Sequence, residues 1–123
     1  MSRAAQTVQA FGGYLIALGL ALVVMPNLML AAFTLPQTNE VWIRVVGVLV
    51  FNVGIYYIAA ARCEARGFFV ATVYARFGVL LAFTAFAMTG LAEPLLILFG
   101  LLDALGALWT ARALRIDRAV PAE

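Results

Sequence analysis

Residues 68–89 read FFVATVYARFGVLLAFTAFAMT, an apolar run long enough to cross a bilayer as one helix, in which Arg76 is the only charged residue. An arginine at the centre of a membrane-spanning helix costs about 2.5–3.5 kcal/mol on insertion scales, so it needs a partner. Asp103 is the candidate, because it is likewise surrounded by apolar residues in the run 94–114. The sequence therefore predicts that these two runs pack together through an Arg76–Asp103 pair.

The composition of the chain is that of a membrane protein. The 123 residues are 66% hydrophobic and 11% charged, whereas soluble proteins are about 45–50% apolar and about 25% charged. A net charge of +2 is too small for the dense basic face that nucleic acid requires. We therefore expect one transmembrane domain and no nucleic-acid partner.

The residue types also exclude several kinds of site. The sequence contains no histidine and no lysine, and Cys63 is its single cysteine. Histidine-ligated haem, His/Cys zinc sites, an internal disulfide and a retinal-type Schiff base are thereby excluded for one chain. No nucleophile–base pair or phosphate loop is visible. We expect no catalytic residues, no metal site and no cofactor, so the chain is not predicted to be an enzyme.

Four apolar runs predict an all-α integral membrane bundle. The spans cover about residues 10–30, 41–61, 68–89 and 94–114, followed by a basic tail over 115–123. Short connections make consecutive helices antiparallel neighbours, so the expected topology is up-down-up-down. After Pro26, the segment to Phe33 either prolongs the first helix past a kink or lies in the interface. A signal peptide is the alternative for the first span, but no small-x-small cleavage motif follows it.

Arginine is distributed unevenly between the two sides of the predicted bundle. One side carries Arg3, Arg62, Arg66, Arg112, Arg115 and Arg118. The other side carries Glu40 and Glu93, with Arg44 near it. By the positive-inside rule, both termini are expected in the cytoplasm and the chain in the cytoplasmic (inner) membrane.

Helical rise places three polar side chains in one layer. Arg76 lies roughly 12 Å from one edge of a ~30 Å core and Asp103 roughly 13 Å from the other, with Asn52 at a similar depth. The layer is either packing glue, the lining of a cavity that handles a proton, ion or polar headgroup, or a contact for a partner subunit. Tyr56 shares a helix face with Asn52 and extends the layer toward the cytoplasm, which predicts a cytoplasm-open amphipathic pocket.

Residues near the outer end of the second span have a simpler explanation. Arg44 is expected to extend to the interface or to pair with Glu40, four residues earlier. Close helix contacts are expected at small residues four positions apart. These are Gly13, Ala17 and Ala21 in the first span and Gly106 and Thr110 in the fourth.

Several local features occur together along about two-thirds of the chain. They are Gly19 before Pro26, Leu35-Pro36, Arg44 with Gly47, Gly54, Tyr57, Ala61-Arg62 and Arg76. With these features the chain resembles small bacterial four-helix inner-membrane proteins grouped as DoxX-like or BphX-like. The resemblance implies a four-helix fold in the bacterial cytoplasmic membrane and no established catalytic residues. Small multidrug transporters match less well, because the glutamate of their first helix has no counterpart here.

Two functions follow as hypotheses. The first is an accessory or structural bundle that contacts the lipid bilayer and docks a second copy of itself or a larger membrane complex. The second is a carrier or binder of a small amphipathic molecule or proton, with Asp103 as a titratable gate and Arg76 as anion contact or counter-charge. The first predicts that Arg76 and Asp103 can be replaced together by matched apolar residues with the fold retained. The second predicts that Asp103→Asn leaves a folded protein without its activity.

Overall fold

The protein is an all-α membrane bundle in a computed structural model that describes residues 1–120. The helices are α1 (Arg3–Val24), α2 (Pro26–Ala32), α3 (Trp42–Arg62), α4 (Arg66–Met88) and α5 (Leu96–Ala119). The described residues contain no strand. Helices α1, α3, α4 and α5 are each long and apolar enough to cross a membrane. The predicted four-helix membrane fold is confirmed.

Helix bounds differ from the predicted spans at both termini. Helix α1 begins at Arg3, seven residues before the predicted start, and ends before Pro26. Proline cannot continue the hydrogen-bond pattern of α1 but is well suited to a first helical position, so residues 26–32 form the separate helix α2. Helix α5 continues to Ala119, through much of the predicted tail; residues 121–123 of that tail lie outside the described residues.

The bundle has two distinct ends. We call the end where α1 and α4 begin and α3 and α5 finish the basic end, and the opposite end the α2 end. Helix α1 packs mainly on α3 and also on α5, and α4 packs on α5, whereas α3 and α4 barely touch. Fully buried side chains cluster at the basic end, including Ala5, Val8, Ala61 and Phe69. The bundle is therefore tight at the basic end and looser toward the α2 end.

Glycines allow α1 and α3 to approach closely. A Cβ atom on Gly19 would lie 2.6 Å from the carbonyl oxygen of Gly47, and one on Gly54 would lie 2.8 Å from that of Gly12. A Cβ atom on Gly13 would meet nothing within 4 Å. The contact thus uses Gly12 and Gly19, and the expectation that Gly13 belongs to it is wrong.

Two carboxylates hold the start of α1. Ser2 donates from its backbone N–H to Glu64 at 2.6 Å and from its hydroxyl at 2.7 Å, and Ala4 N–H donates to Asp117 at 2.9 Å. The first N–H groups of a helix have no partner within the helix and carry partial positive charge. Both hydrogen bonds from Ser2 lower the pKa of the Glu64 carboxyl below its usual value. These contacts tie α1 to the α3–α4 turn and to α5.

Candidate functional site

The guanidinium of Arg76 is buried inside the bundle and bonded to threonines. Its exposed fraction is 2%. Nε donates to the backbone oxygen of Thr72 at 3.2 Å, while Nη2 donates to the hydroxyls of Thr72 at 3.2 Å and Thr110 at 2.9 Å. Thr72 precedes Arg76 by four residues on α4, so it lies on the same helix face. Hydrogen-bond acceptors on its own helix and on α5 therefore stabilise this charge.

A chain of hydroxyl groups continues from Arg76 to α1. The Thr7 and Thr110 hydroxyl oxygens are 2.8 Å apart, and Thr7 donates its only proton to the carbonyl oxygen of Ala4 at 2.7 Å. Because a hydroxyl carries one proton, Thr110 must donate to Thr7 and accept from Arg76. We call Arg76, Thr72, Thr110 and Thr7 the Arg76 network. The network connects α4, α5 and α1 through hydrogen bonds, each of which is donated by the group nearer to Arg76.

Two aromatic rings complete the surroundings of Arg76. The carbon Cζ of its guanidinium lies 4.6 Å from the ring centroid of Phe11 and 5.8 Å from that of Tyr57. A cation within about 6 Å of an aromatic ring is attracted by the electrons of its face, more strongly where water is excluded. The rings come from α1 and α3, so all four long helices contribute to holding this charge.

The predicted pair of Arg76 with Asp103 is wrong. Within residues 1–120, Arg76 makes no ion pair with Asp103, and its Nη1 has no hydrogen-bond partner. A Cβ atom on Gly100 would lie 2.9 Å from Cα of Leu80, which places the backbones of Arg76 and Asp103 at nearly equal depth. However, side chains tilt toward the start of their own helix. On antiparallel helices these two side chains therefore point toward opposite ends of the bundle.

Asn52 and Tyr56 do not join the Arg76 network. Tyr56 is 62% exposed on the bundle surface. Asn52 is half-buried, and no hydrogen bond joins it to Arg76 in the described part of the chain. The neighbouring residue, Tyr57, is the one whose ring faces Arg76, because one residue along a helix turns the side chain by about 100°.

Arg44 stabilises the broken end of α1. Its Nη1 donates to the carbonyl oxygen of Val23, in the last turn before Pro26. The last carbonyls of a helix lack partners within the helix and attract a cation. Glu40 is exposed and forms no ion pair with Arg44 among residues 1–120, so that part of the expectation is wrong.

A cavity of about 390 Å³ occupies the α2 half of the bundle. Aliphatic and aromatic side chains from all five helices line it, among them Leu18, Met29, Val50, Phe83 and Phe99. Among residues 1–120, Asp103 is the only charged residue that lines it, and Tyr14 is the other lining residue with a polar group. We call this space the Asp103 cavity.

The position of the Asp103 cavity follows from the packing. It lies between the α1–α3 pair and the α4–α5 pair, where α3 and α4 barely touch. The sequence predicted a pocket running from the polar layer toward the basic end. The Arg76 network and the rings of Phe11 and Tyr57 fill that region instead. The cavity lies on the opposite side of Arg76, so this expectation is wrong.

Sequence reasoning missed most partners of Arg76. Thr72 was detectable, because it lies four residues before Arg76 and its hydroxyl is on the same face. Thr110 and Phe11 were not detectable, because their contact depends on the register of other helices. Within residues 1–120, no group of three His, Cys, Asp or Glu residues is placed to hold a metal ion.

No family model, curated protein or solved structure matches the chain. The site geometry separates a fully enclosed cation at Arg76 from a carboxylate at Asp103 that lines an apolar space.

Proposed function

We propose that this small membrane protein binds a small amphipathic molecule in the Asp103 cavity. The observation that carries the proposal is one carboxylate lining a space of about 390 Å³ whose walls are otherwise almost wholly apolar. Ligand pockets commonly combine apolar walls with a few polar groups and have volumes of about 300–1,000 Å³. An ionisable residue inside a membrane bundle marks a functional site by default.

The charge arrangement defines the ligand class. An ionised carboxylate only accepts hydrogen bonds, so the polar group of the ligand must donate them. Amines, ammonium groups and hydroxyls meet this requirement, whereas an anionic group would be repelled by Asp103. Arg76 supplies no anion contact to the cavity, because it is 2% exposed and does not line the space. The ligand is therefore an apolar molecule with a donating headgroup.

Binding of two fluorescent probes of similar size tests this function. In lipid nanodiscs, 1-aminoanthracene has a donating amine and anthracene does not. Asp103→Leu should weaken binding of 1-aminoanthracene by at least about tenfold, because a hydrogen bond to a charged group contributes about 1.5–3 kcal/mol. The same variant should leave anthracene binding unchanged. Glu93→Gln, which removes an exposed carboxylate outside the cavity, is the matched control.

A second pair of variants tests the place of binding. Val50 lines the cavity, whereas Val48 on the same helix is 49% exposed on the bundle surface. Val50→Phe fills part of the cavity and should weaken both probes, while Val48→Phe should weaken neither. Unchanged binding in Val50→Phe, or equal losses in the two valine variants, would place the probes in bulk lipid and refute the proposal.

An accessory structural role is the second candidate, and the Arg76 network favours it. Arg76 directs its hydrogen bonds to residues of this bundle and is enclosed by rings from two further helices. Such a charge serves the architecture of the bundle and needs no ligand. Under this function the chain assembles with a second copy or a larger membrane complex. Crosslinking in native membranes should then give a defined larger species, and Asp103→Leu should leave that species intact.

We further propose that the bundle lies in the cytoplasmic membrane of a bacterium with its basic end in the cytoplasm. The arginines at that end support this orientation by the positive-inside rule. Kinship with the DoxX-like or BphX-like group is part of the same proposal. The features shared with that group include three glycines at the α1–α3 contact, Gly19, Gly47 and Gly54. The proposed kinship therefore concerns helix packing and fold.

A further inference from the structure

A groove of about 330 Å³ lies between α1 and α5 at the basic end. Arg3 and Gln6 line it from α1, and Trp109, Arg112 and Ile116 line it from α5. We call it the basic groove. It is separate from the Asp103 cavity, with which it shares no lining residue.

The two arginines of the basic groove lie on opposite walls, Arg3 on α1 and Arg112 on α5. Helices α1 and α5 are antiparallel, and the hydroxyls of Thr7 and Thr110, 2.8 Å apart, fix their register. Arg3 precedes Thr7 by four residues and so lies level with the residue four after Thr110. That level is two residues beyond Arg112, an axial offset of about 3 Å. Both residues line the same space of about 330 Å³, so an anionic group bound in it lies in a groove that the two arginines share.

Two acids lie near the basic groove, and neither is ion-paired with its arginines in the described part of the chain. Within residues 1–120, neither Arg3 nor Arg112 forms an ion pair through its guanidinium. Among residues 1–120, Asp117 and Glu64 are the acids at this end, and both accept hydrogen bonds from backbone N–H groups at the start of α1. Their charge is thus directed at the α1 terminus.

Trp109 places the groove at the membrane surface. It precedes Arg112 by three residues, so it lies on the same face of α5 and about 4.5 Å deeper in the bundle. Its side chain is 55% exposed. Tryptophan favours the boundary between headgroups and acyl chains. The groove therefore presents cationic groups at headgroup level and an aromatic ring where the acyl chains begin.

We propose that the basic groove binds an anionic phospholipid, with the phosphate between Arg3 and Arg112 and an acyl chain along Trp109. Basic pockets between transmembrane helices are suited to anionic lipid headgroups. Arginine binds phosphate through short charge-assisted hydrogen bonds that are about twice as strong as neutral ones. A zwitterionic lipid also offers a phosphate, but its own ammonium group would face the two arginines.

A second groove on the other side of α5 supplies the control. It has a volume of about 200 Å³ and carries Arg115 and Arg118. These two arginines are three residues apart on one helix, so they approach from a single wall. Replacing both removes the same charge from the same end of the bundle, without changing the basic groove.

Quenching of Trp109 fluorescence by brominated lipids tests the proposal. The chain has two tryptophans, so Trp42→Phe makes Trp109 the only one. In this background, phosphatidylglycerol with brominated acyl chains should quench Trp109 more than equally brominated phosphatidylcholine at the same mole fraction. Arg3→Gln with Arg112→Gln should lower the apparent preference for the anionic lipid about tenfold. Arg115→Gln with Arg118→Gln should lower it by a smaller factor, because these arginines do not line the basic groove.

Three results would overturn the proposal. Equal quenching by the two lipids would show no preference for the anionic headgroup. Equal losses in the two double variants would mean that only the overall charge of the basic end attracts lipid. Abolition of the preference by soluble glycerol phosphate at millimolar concentration would identify a site for free phosphate esters. Circular dichroism of each variant checks that the helices are retained, and native mass spectrometry counts retained lipid in any variant with altered helicity.

Discussion

Substituting Gly19 by alanine tests the closest helix contact of the bundle. A Cβ atom at this position would lie 2.6 Å from the carbonyl oxygen of Gly47 and 2.6 Å from the backbone nitrogen of Phe51. Non-bonded heavy atoms are ordinarily about 3.5–4.0 Å apart. Backbone atoms inside a helix cannot rotate away, so α1 and α3 must separate by about 1 Å at this point.

The neighbouring glycine allows the energetic cost of this separation to be isolated. Gly13→Ala adds the same methyl group to the same helix where nothing lies within 4 Å. Both variants gain about 0.5–1 kcal/mol from the better helix propensity of alanine. The difference between them is therefore the cost of overpacking, about 1–3 kcal/mol. We expect Gly13→Ala to be neutral or stabilising and Gly19→Ala to be the less stable variant by this amount.

Reversible unfolding in mixed micelles of lipid-like detergent and dodecyl sulfate, followed by circular dichroism, measures the difference. Gly47→Ala provides a further check, because its Cβ atom would lie 2.9 Å from the carbonyl oxygen of Gly19. Once Gly19→Ala has separated the helices, Gly47→Ala should cost less than it does alone. Equal stabilities of Gly13→Ala and Gly19→Ala, or strictly additive losses at Gly19 and Gly47, would refute the contact.

Three further predictions concern the Arg76 network, the α1 terminus and the orientation. Thr110→Val leaves Nη2 of Arg76 without its α5 acceptor, which should lower the free energy of unfolding by about 1–3 kcal/mol. Thr89→Val is the control, because the Thr89 hydroxyl bonds its own helix, and it should lower the free energy of unfolding by less. Equal losses in the two variants would contradict this prediction. The pKa of Glu64 is lowered from its usual 4.5. The ionised carboxylate therefore stabilises the fold above pH 4.5, and this stabilisation is lost as the pH falls through the lower pKa of the folded state. Glu64→Gln should weaken this acid dependence, and an unchanged acid dependence would show that other groups cause it. Exposed Cys63 should resist an impermeant maleimide in intact cells and react in opened ones; labelling in sealed cells would reverse the proposed orientation.

The fold could be predicted because hydropathy alone identifies spans of membrane length. The ends of the helices could not be predicted in this way, because a helix can extend beyond its membrane-spanning part. Residues 3–9 include polar side chains, yet they are helical, because Ala4 and Ala5 are buried in the core. In addition, Asp117 accepts from the N–H of Ala4 in the first turn, and Glu64 accepts from the N–H of Ser2 just before it. Both carboxylates are far away in sequence, so no local pattern indicates them.

The sequence also could not show which of two neighbouring residues makes a contact. Gly12 and Gly13 are chemically identical, and only the direction of the α3 contact decides that Gly12 is buried. In the same way, Tyr57 rather than Tyr56 meets Arg76. Each residue turns a helix by about 100°, so an assignment that is wrong by one position puts the contact on a different helix face.

Equal depth of Arg76 and Asp103 has opposite consequences on parallel and antiparallel helices. On parallel helices the two side chains would tilt the same way and could meet. Here they diverge, so Arg76 is satisfied by threonines and rings in the tight half, while Asp103 remains in the wall of the apolar cavity. A carboxylate in such a space is costly unless it is hydrogen-bonded or paired. The donating headgroup of the proposed ligand would meet this requirement inside the cavity.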